Sequence, residues 1–233
     1  MAYPDDFLEA LGAWQNGWLE QAGRRLQITK TLEEVIKDLK LRPEALSIDV
    51  TCYRKRFLLA NNPQSGGDMM PLIRDGVLDE GVASWTTNRN FAEEFKDPLR
   101  TGTVSAIFGH KPQKEEVVLN IIALWTLDGF SAAVNDYKVR GGRHADALLC
   151  FRSRQSEVIL RAPLLRDEIV SFCGRSSPFE TLCELADLTR EEDKHAFWKD
   201  LIDTNTFPEQ PRWLSSEGVK NVLQRVRKRF SLG

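Results

Sequence analysis

Gln155, Ser156 and Glu157 stand at the entrance to the apolar run Val158-Ile159-Leu160, with Arg152 and Arg154 just before them. A carboxylate at the threshold of a buried strand is costly unless something there uses its charge. In a strand, residues two apart point to the same face, so Gln155 goes with Glu157. Two other segments set polar groups where burial is expected. The first is Cys52-Tyr53-Arg54-Lys55-Arg56-Phe57, with Arg54 and Arg56 on one face of a strand. The second is Ser84-Trp85-Thr86, followed at helical spacing by Phe91, Ala92 and Phe95. A guanidinium forks onto phosphate or carboxylate. Aromatic faces stack on planar ligands, and a fixed carboxylate stabilises positive charge that develops beside it.

The elements that must position these groups lie in the strand-rich middle of the chain. Residues 46–60 alternate and read as a strand, as do 81–87, 102–110 and 115–124. Asn88 is placed to cap a helix carrying Phe91, Ala92 and Phe95. A helix is expected over 127–138 and a turn at 139–146. Strands are expected again at 147–152, 156–161 and 167–173. Residues 61–69, rich in Asn, Pro and Gly, read as a loop.

Both ends read as helical. Phe7, Leu8, Leu11, Trp14, Trp18 and Leu19 follow helical spacing, with Asp5 or Asp6 as the expected cap. Thr31-Leu32-Glu33-Glu34 fits a capping box for a second helix that Pro43 ends. Toward the C-terminus, Ser177-Pro178 and Thr189-Arg190-Glu191-Glu192 read as helix starts. Residues 206–213 read as a loop, and the last helix ends in the basic run Arg225–Phe230. The expected domains are a helical extension over 1–45, a core over 46–173 and a helical segment over 174–233.

Composition narrows the function classes. The 233 residues are 42% hydrophobic and 28% charged, enough for a real core. A net charge of −2 gives no global pull toward nucleic acid or anionic membrane. The four cysteines have no C-x-x-C spacing, and the three histidines are scattered, so neither a disulfide framework nor a metal site is expected. The N-terminus lacks the pattern of a signal peptide, and no apolar stretch approaches membrane-spanning length. A cytosolic protein is expected.

In this order the three polar segments resemble the ADP-ribosyltransferase fold. The resemblance is to its arginine–serine–glutamate class, typified by bacterial arginine- and asparagine-modifying toxins. Tyr53-Arg54 is similar to its aromatic-arginine pair, Ser84-Trp85-Thr86 with Ala92 and Phe95 to its serine-threonine-serine strand end and helix, and Gln155-Ser156-Glu157 to its Gln/Glu-x-Glu motif. Trp85 stands where the middle threonine is usual, and Thr86 replaces the second serine. No glycine follows Arg54, so Arg56 is the alternative anchor. The resemblance covers residues 46–173. It implies an α+β fold with a compact core of two small packed sheets and helices at both ends.

It also implies cleavage of the nicotinamide–ribose bond of NAD, which is a substrate here. Glu157 would accept a hydrogen bond from the ribose 2′-hydroxyl and sit near the developing positive charge. Arg54 would hold the dinucleotide phosphates, Ser84 and Thr86 would orient the glutamate or the ribose, and Phe91, Phe95 or Trp85 would stack on nicotinamide. Gln155 would touch the acceptor, a protein side chain or a nucleic-acid base, with protein favoured. A toxin or effector, with an inhibitor partner, fits this picture. No metal or membrane partner is implied.

The same residues have plainer roles. Arg54 can pair with Asp49 or Glu80, Phe91 and Phe95 can be core, and Trp14, Trp18, Trp198 and Trp213 read as packing anchors. An NAD glycohydrolase uses the same site with water as acceptor. A binding domain without catalysis follows if Trp85 fills the nicotinamide pocket. A nucleic-acid-binding protein led by the basic tail is a further alternative.

Overall fold

The computed structural model describes residues 3–17, 22–59, 69–95, 103–152, 155–173, 183, 184, 186–204, 214 and 216–229. In chain order the elements are α1 (Asp5–Asn16), α2 (Ala22–Asp38), β1 (Cys52–Leu59), α3 (Met69–Asp75), β2 (Val77–Leu78), β3 (Val82–Thr86), α4 (Arg89–Glu94) and β4 (Thr103–His110). Then follow β5 (Val117–Asn120), α5 (Ile121–Thr126), α6 (Phe130–Val139), α7 (Ala145–Cys150), β6 (Glu157–Arg161), β7 (Leu164–Leu165), β8 (Ile169–Cys173), α8 (Glu191–Asp203) and α9 (Ser216–Arg229). The class is α+β, with antiparallel strand pairs and helices before and after them. The chain divides into two compact units. One comprises residues 1–52, 80–88 and 111–162, and the other residues 53–79, 89–110 and 163–233.

The first unit is built on the strand order β5-β6-β3. Strands β3 and β6 run antiparallel, with Val82 opposite Arg161, Ser84 opposite Ile159 and Thr86 opposite Glu157. The alternation puts Val82, Ser84 and Thr86 on one face and Ala83 and Trp85 on the other. On the first face, Val82, Leu119 and Ile159 join Phe7, Leu8, Leu11 and Trp14 of α1 in one apolar cluster. Each such fully buried side chain stabilises the fold by about 1.5–3 kcal/mol.

Helix α1 follows Pro4, which is extended and offers no side-chain cap. The expected cap at Asp5 or Asp6 is therefore corrected. Both carboxylates sit in the first turn, where the helix dipole favours them. Asp5 also grips the Arg140 guanidinium through two bonds of 2.6 and 2.7 Å. The helix ends at Gly17, whose φ of 80° glycine adopts without strain. Helix α1 packs closely on α7. A Cβ on Gly12 would lie 2.9 Å from the Cβ and the carbonyl oxygen of His144, so the approach requires glycine.

Three expectations change here. Helix α2 begins at Ala22, not at the Thr31 box, which lies inside it. Arg25 explains the earlier start: its guanidinium donates to the carbonyls of Glu80 and Val82 at 2.6 and 2.9 Å and so fixes the first turns. The run 115–124 is strand only as far as Asn120. The Asn120 side chain accepts from the Ala123 N–H at 3.1 Å and donates to the Ser47 carbonyl at 2.8 Å, so it caps a helix in the middle of an apolar stretch. Residues 145–150 are helix, not strand. Ala145 and Leu148, three apart, enter the core together.

The second unit carries the strand order β1-β4-β8 and the short ladder of β2 with β7. β4 and β8 pair antiparallel, with Ala106 opposite Phe172 and a bulge after Ile107. Strand β1 starts at Cys52, later than expected, and β8 is preceded by a 3₁₀ turn at Arg166–Glu168. Helix α9 packs on β8 and α3. Of the expected loop at 61–69, residues 61–68 lie outside the described residues and Met69 already begins α3; the expected loop at 206–213, the helix start at Ser177-Pro178, Trp18, Trp213 and the side chains of 226–230 also lie outside them.

Candidate functional site

Glu157 is the first residue of β6 and is only 4% exposed. Its neighbour Ser156 has φ of +44°, the left-handed region that a serine enters only at a cost. Two bonds hold that turn. The Thr86 hydroxyl donates to the Gln155 carbonyl at 2.5 Å, and the Thr87 N–H donates to the Ser156 carbonyl at 3.1 Å. Thr86 also accepts from the Asn88 N–H at 3.0 Å. The end of β3 therefore shapes the segment that aims Glu157.

The carboxylate itself meets three donors. The Ser84 hydroxyl donates to Glu157 Oε1 at 2.5 Å, a length expected of a hydroxyl on a carboxylate. The indole N–H of Trp14 is shared between Glu157 Oε1 at 3.0 Å and Ser84 Oγ at 3.1 Å. Gln15 Nε2 donates to Glu157 Oε2 at 3.2 Å. Ser84 reaches Glu157 because it lies two positions along the ladder on the same face. Trp85, on the opposite face of β3, is 2% exposed and leaves the Ser84 side to the carboxylate.

The structure thus brings Glu157, Ser84, Thr86 and the Gln155 backbone together in the first unit. Arg54, Phe91 and Phe95 belong to the second. There Arg54 is half-buried on β1, and Lys55 of the same strand donates to the Glu93 carbonyl of α4 at 2.9 Å. Phe91 and Phe95 on α4 have ring centroids 5.6 Å apart, with Phe95 43% exposed. Buried Glu80, one alternative partner for Arg54, faces Arg25 at 3.7 Å.

An open cleft of ≈ 610 Å³ adjoins the β3 end, with Thr87, Asn120, Ser47, Asp49 and Val50 among its walls. Among the described residues no group of three or more His, Cys, Asp or Glu is placed to hold a metal ion, and no helix is long and apolar enough to cross a membrane.

Sequence reasoning missed Trp14 and Gln15. Trp14 was legible as core, and it is core. Its polar edge carried no local signal, because its partner lies 143 residues away. Comparison with known protein families, curated protein sequences and solved structures finds no match.

Proposed function

We propose that this protein is an NAD-dependent mono-ADP-ribosyltransferase of the arginine–serine–glutamate class. One observation carries the reading: the Ser84 hydroxyl lies 2.5 Å from Glu157 Oε1, which couples two separate motifs in one constellation. Thr86 supports it by holding the Gln155 carbonyl, and so the Gln155-Ser156-Glu157 turn.

In the proposed reaction the bond between ribose C1′ and the nicotinamide nitrogen breaks. Its electron pair leaves with nicotinamide, which departs neutral. The acceptor nucleophile bonds to C1′ and gives up its proton. Glu157 holds the 2′-hydroxyl and stabilises the positive charge that develops on the ribose, while Ser84 and Trp14 fix its orientation. By the sequence resemblance, Arg54 would hold the dinucleotide phosphates and Phe91 or Phe95 would stack on nicotinamide; all three belong to the second unit, and this part of the reading rests on the sequence alone. Gln155 faces the acceptor, a macromolecule that the cleft beside Thr87 has room to admit in part.

The cover over Glu157 favours a second reading, a binding domain without catalysis in which the carboxylate ties α1 to β3 and β6. Labelled NAD with cell lysate separates the readings. Label on a protein or nucleic-acid fraction, lost in Glu157→Ala, supports transfer. Free ADP-ribose with no labelled partner points to a glycohydrolase. A folded protein that leaves NAD intact removes the proposal.

A further inference from the structure

The two oxygens of Glu157 are not equivalent. Oε1 receives both Ser84 and Trp14, which fills its two lone pairs. Oε2 receives only Gln15 Nε2 among the described residues, at 3.2 Å, and so retains room for one more donor.

Gln15 carries the complementary feature. Its amide oxygen is buried and accepts no hydrogen bond among the described residues. A buried acceptor without a donor destabilises a fold and calls for a physical reason. Reversing the amide offers no relief, because it would set the Gln15 oxygen against the Glu157 carboxylate. The oxygen is therefore held beside Glu157 by the bond that its own nitrogen makes. The result is two acceptors linked through the Gln15 amide nitrogen, Glu157 Oε2 and Gln15 Oε1, each with capacity for one donor.

Two acceptors so linked match a ligand with hydroxyls on neighbouring carbons. We infer that Gln15 is a specificity-determining residue that accepts the 3′-hydroxyl of the nicotinamide-side ribose while Glu157 Oε2 accepts the 2′-hydroxyl. The inference rests on the NAD reading above and adds a contact from α1, which lies outside the segments that carry the resemblance. Gln15 is suited to this role by its position: it lies in the last turn of α1 and remains partly exposed, so its side chain can adjust to a ligand.

The test is equilibrium binding by the full chain of NAD, ADP-ribose, 2′-deoxy-NAD and 3′-deoxy-NAD, with wild type beside Gln15→Met. Wild type should bind 3′-deoxy-NAD roughly fivefold more weakly than NAD, the effect of one lost neutral hydrogen bond. Gln15→Met should bind NAD weaker by a similar factor and no longer distinguish NAD from the 3′-deoxy form, while still discriminating against 2′-deoxy-NAD. Gln15→Ala carries the same comparison if Gln15→Met melts below the assay temperature. Undiminished 3′ discrimination in both variants overturns the role of Gln15 and leaves the NAD reading standing. A wild type that binds neither NAD nor ADP-ribose overturns both.

Discussion

The indole N–H of Trp14 lies 3.0 Å from Glu157 Oε1 and 3.1 Å from Ser84 Oγ, so a core tryptophan of α1 is also a donor to the candidate catalytic carboxylate. One side chain anchors the helix through its ring and positions the site through its edge.

Trp14→Phe keeps an aromatic ring in the core but removes the donor. It should destabilise the protein by about 1–3 kcal/mol, the cost of leaving buried polar groups short of a partner. Urea titration measures this. In a Glu157→Met background part of that loss should vanish, because one of the two acceptors has gone while Ser84 Oγ remains. A loss equal in both backgrounds would assign the effect to ring packing and the Ser84 contact.

Ser84→Ala removes the 2.5 Å bond to Glu157 and leaves β3 pairing intact. Turnover of NAD should fall by roughly 10²-fold, the scale of a lost preorganised hydrogen bond at a reacting centre. KM should change little, since Ser84 acts through Glu157. Steady-state kinetics would show the split.

Ser156 occupies φ of +44° between Gln155 and Glu157. A β-branched side chain is poorly tolerated there, so Ser156→Val should cost about 1–3 kcal/mol and shift the aim of Glu157. Ser156→Gly should leave stability within about 1 kcal/mol of wild type, as relieved strain offsets added freedom in the unfolded chain. Melting curves of the two variants test the order.

Burial pushes the Cys52 thiol from its ordinary 9.0 up to about 12. The folded state therefore holds this proton more tightly than the unfolded state does. Its contribution to stability is full below pH 9.0 and falls as pH rises from there toward about 12. Cys52→Val should remove that part of the alkaline loss. Iodoacetamide should label exposed Cys150 in the native protein and reach buried Cys52, Cys173 and Cys183 only after unfolding, which mass spectrometry can count.

Local pattern made much of the site legible. The short strand-forming segment 82–86 and the apolar run 158–160 give β3 and β6, and the shared ladder puts Ser84 and Glu157 on one face. The misread elements have short apolar runs in common. Residues 147–151 form a short apolar run that reads as a strand, but α1 meets this segment across Gly12, and the helix that buries Ala145 and Leu148 wins. Residues 121–124 are apolar enough for a strand, but the Asn120 side chain offers its oxygen to the Ala123 N–H and starts a helix. Trp14 and Gln15 reach Glu157 across the whole first unit, and no spacing rule announces a pair 142 or 143 residues apart.

If Glu157 drives cleavage of NAD, replacing its carboxylate must stop the release of nicotinamide. Nicotinamide release by the purified full chain, wild type beside Glu157→Gln, tests it most directly. Wild type should release nicotinamide measurably, and a variant that still folds should release it at least about 10²-fold more slowly. A folded wild type that neither binds nor consumes NAD, or a Glu157→Gln variant as active as wild type, would contradict it.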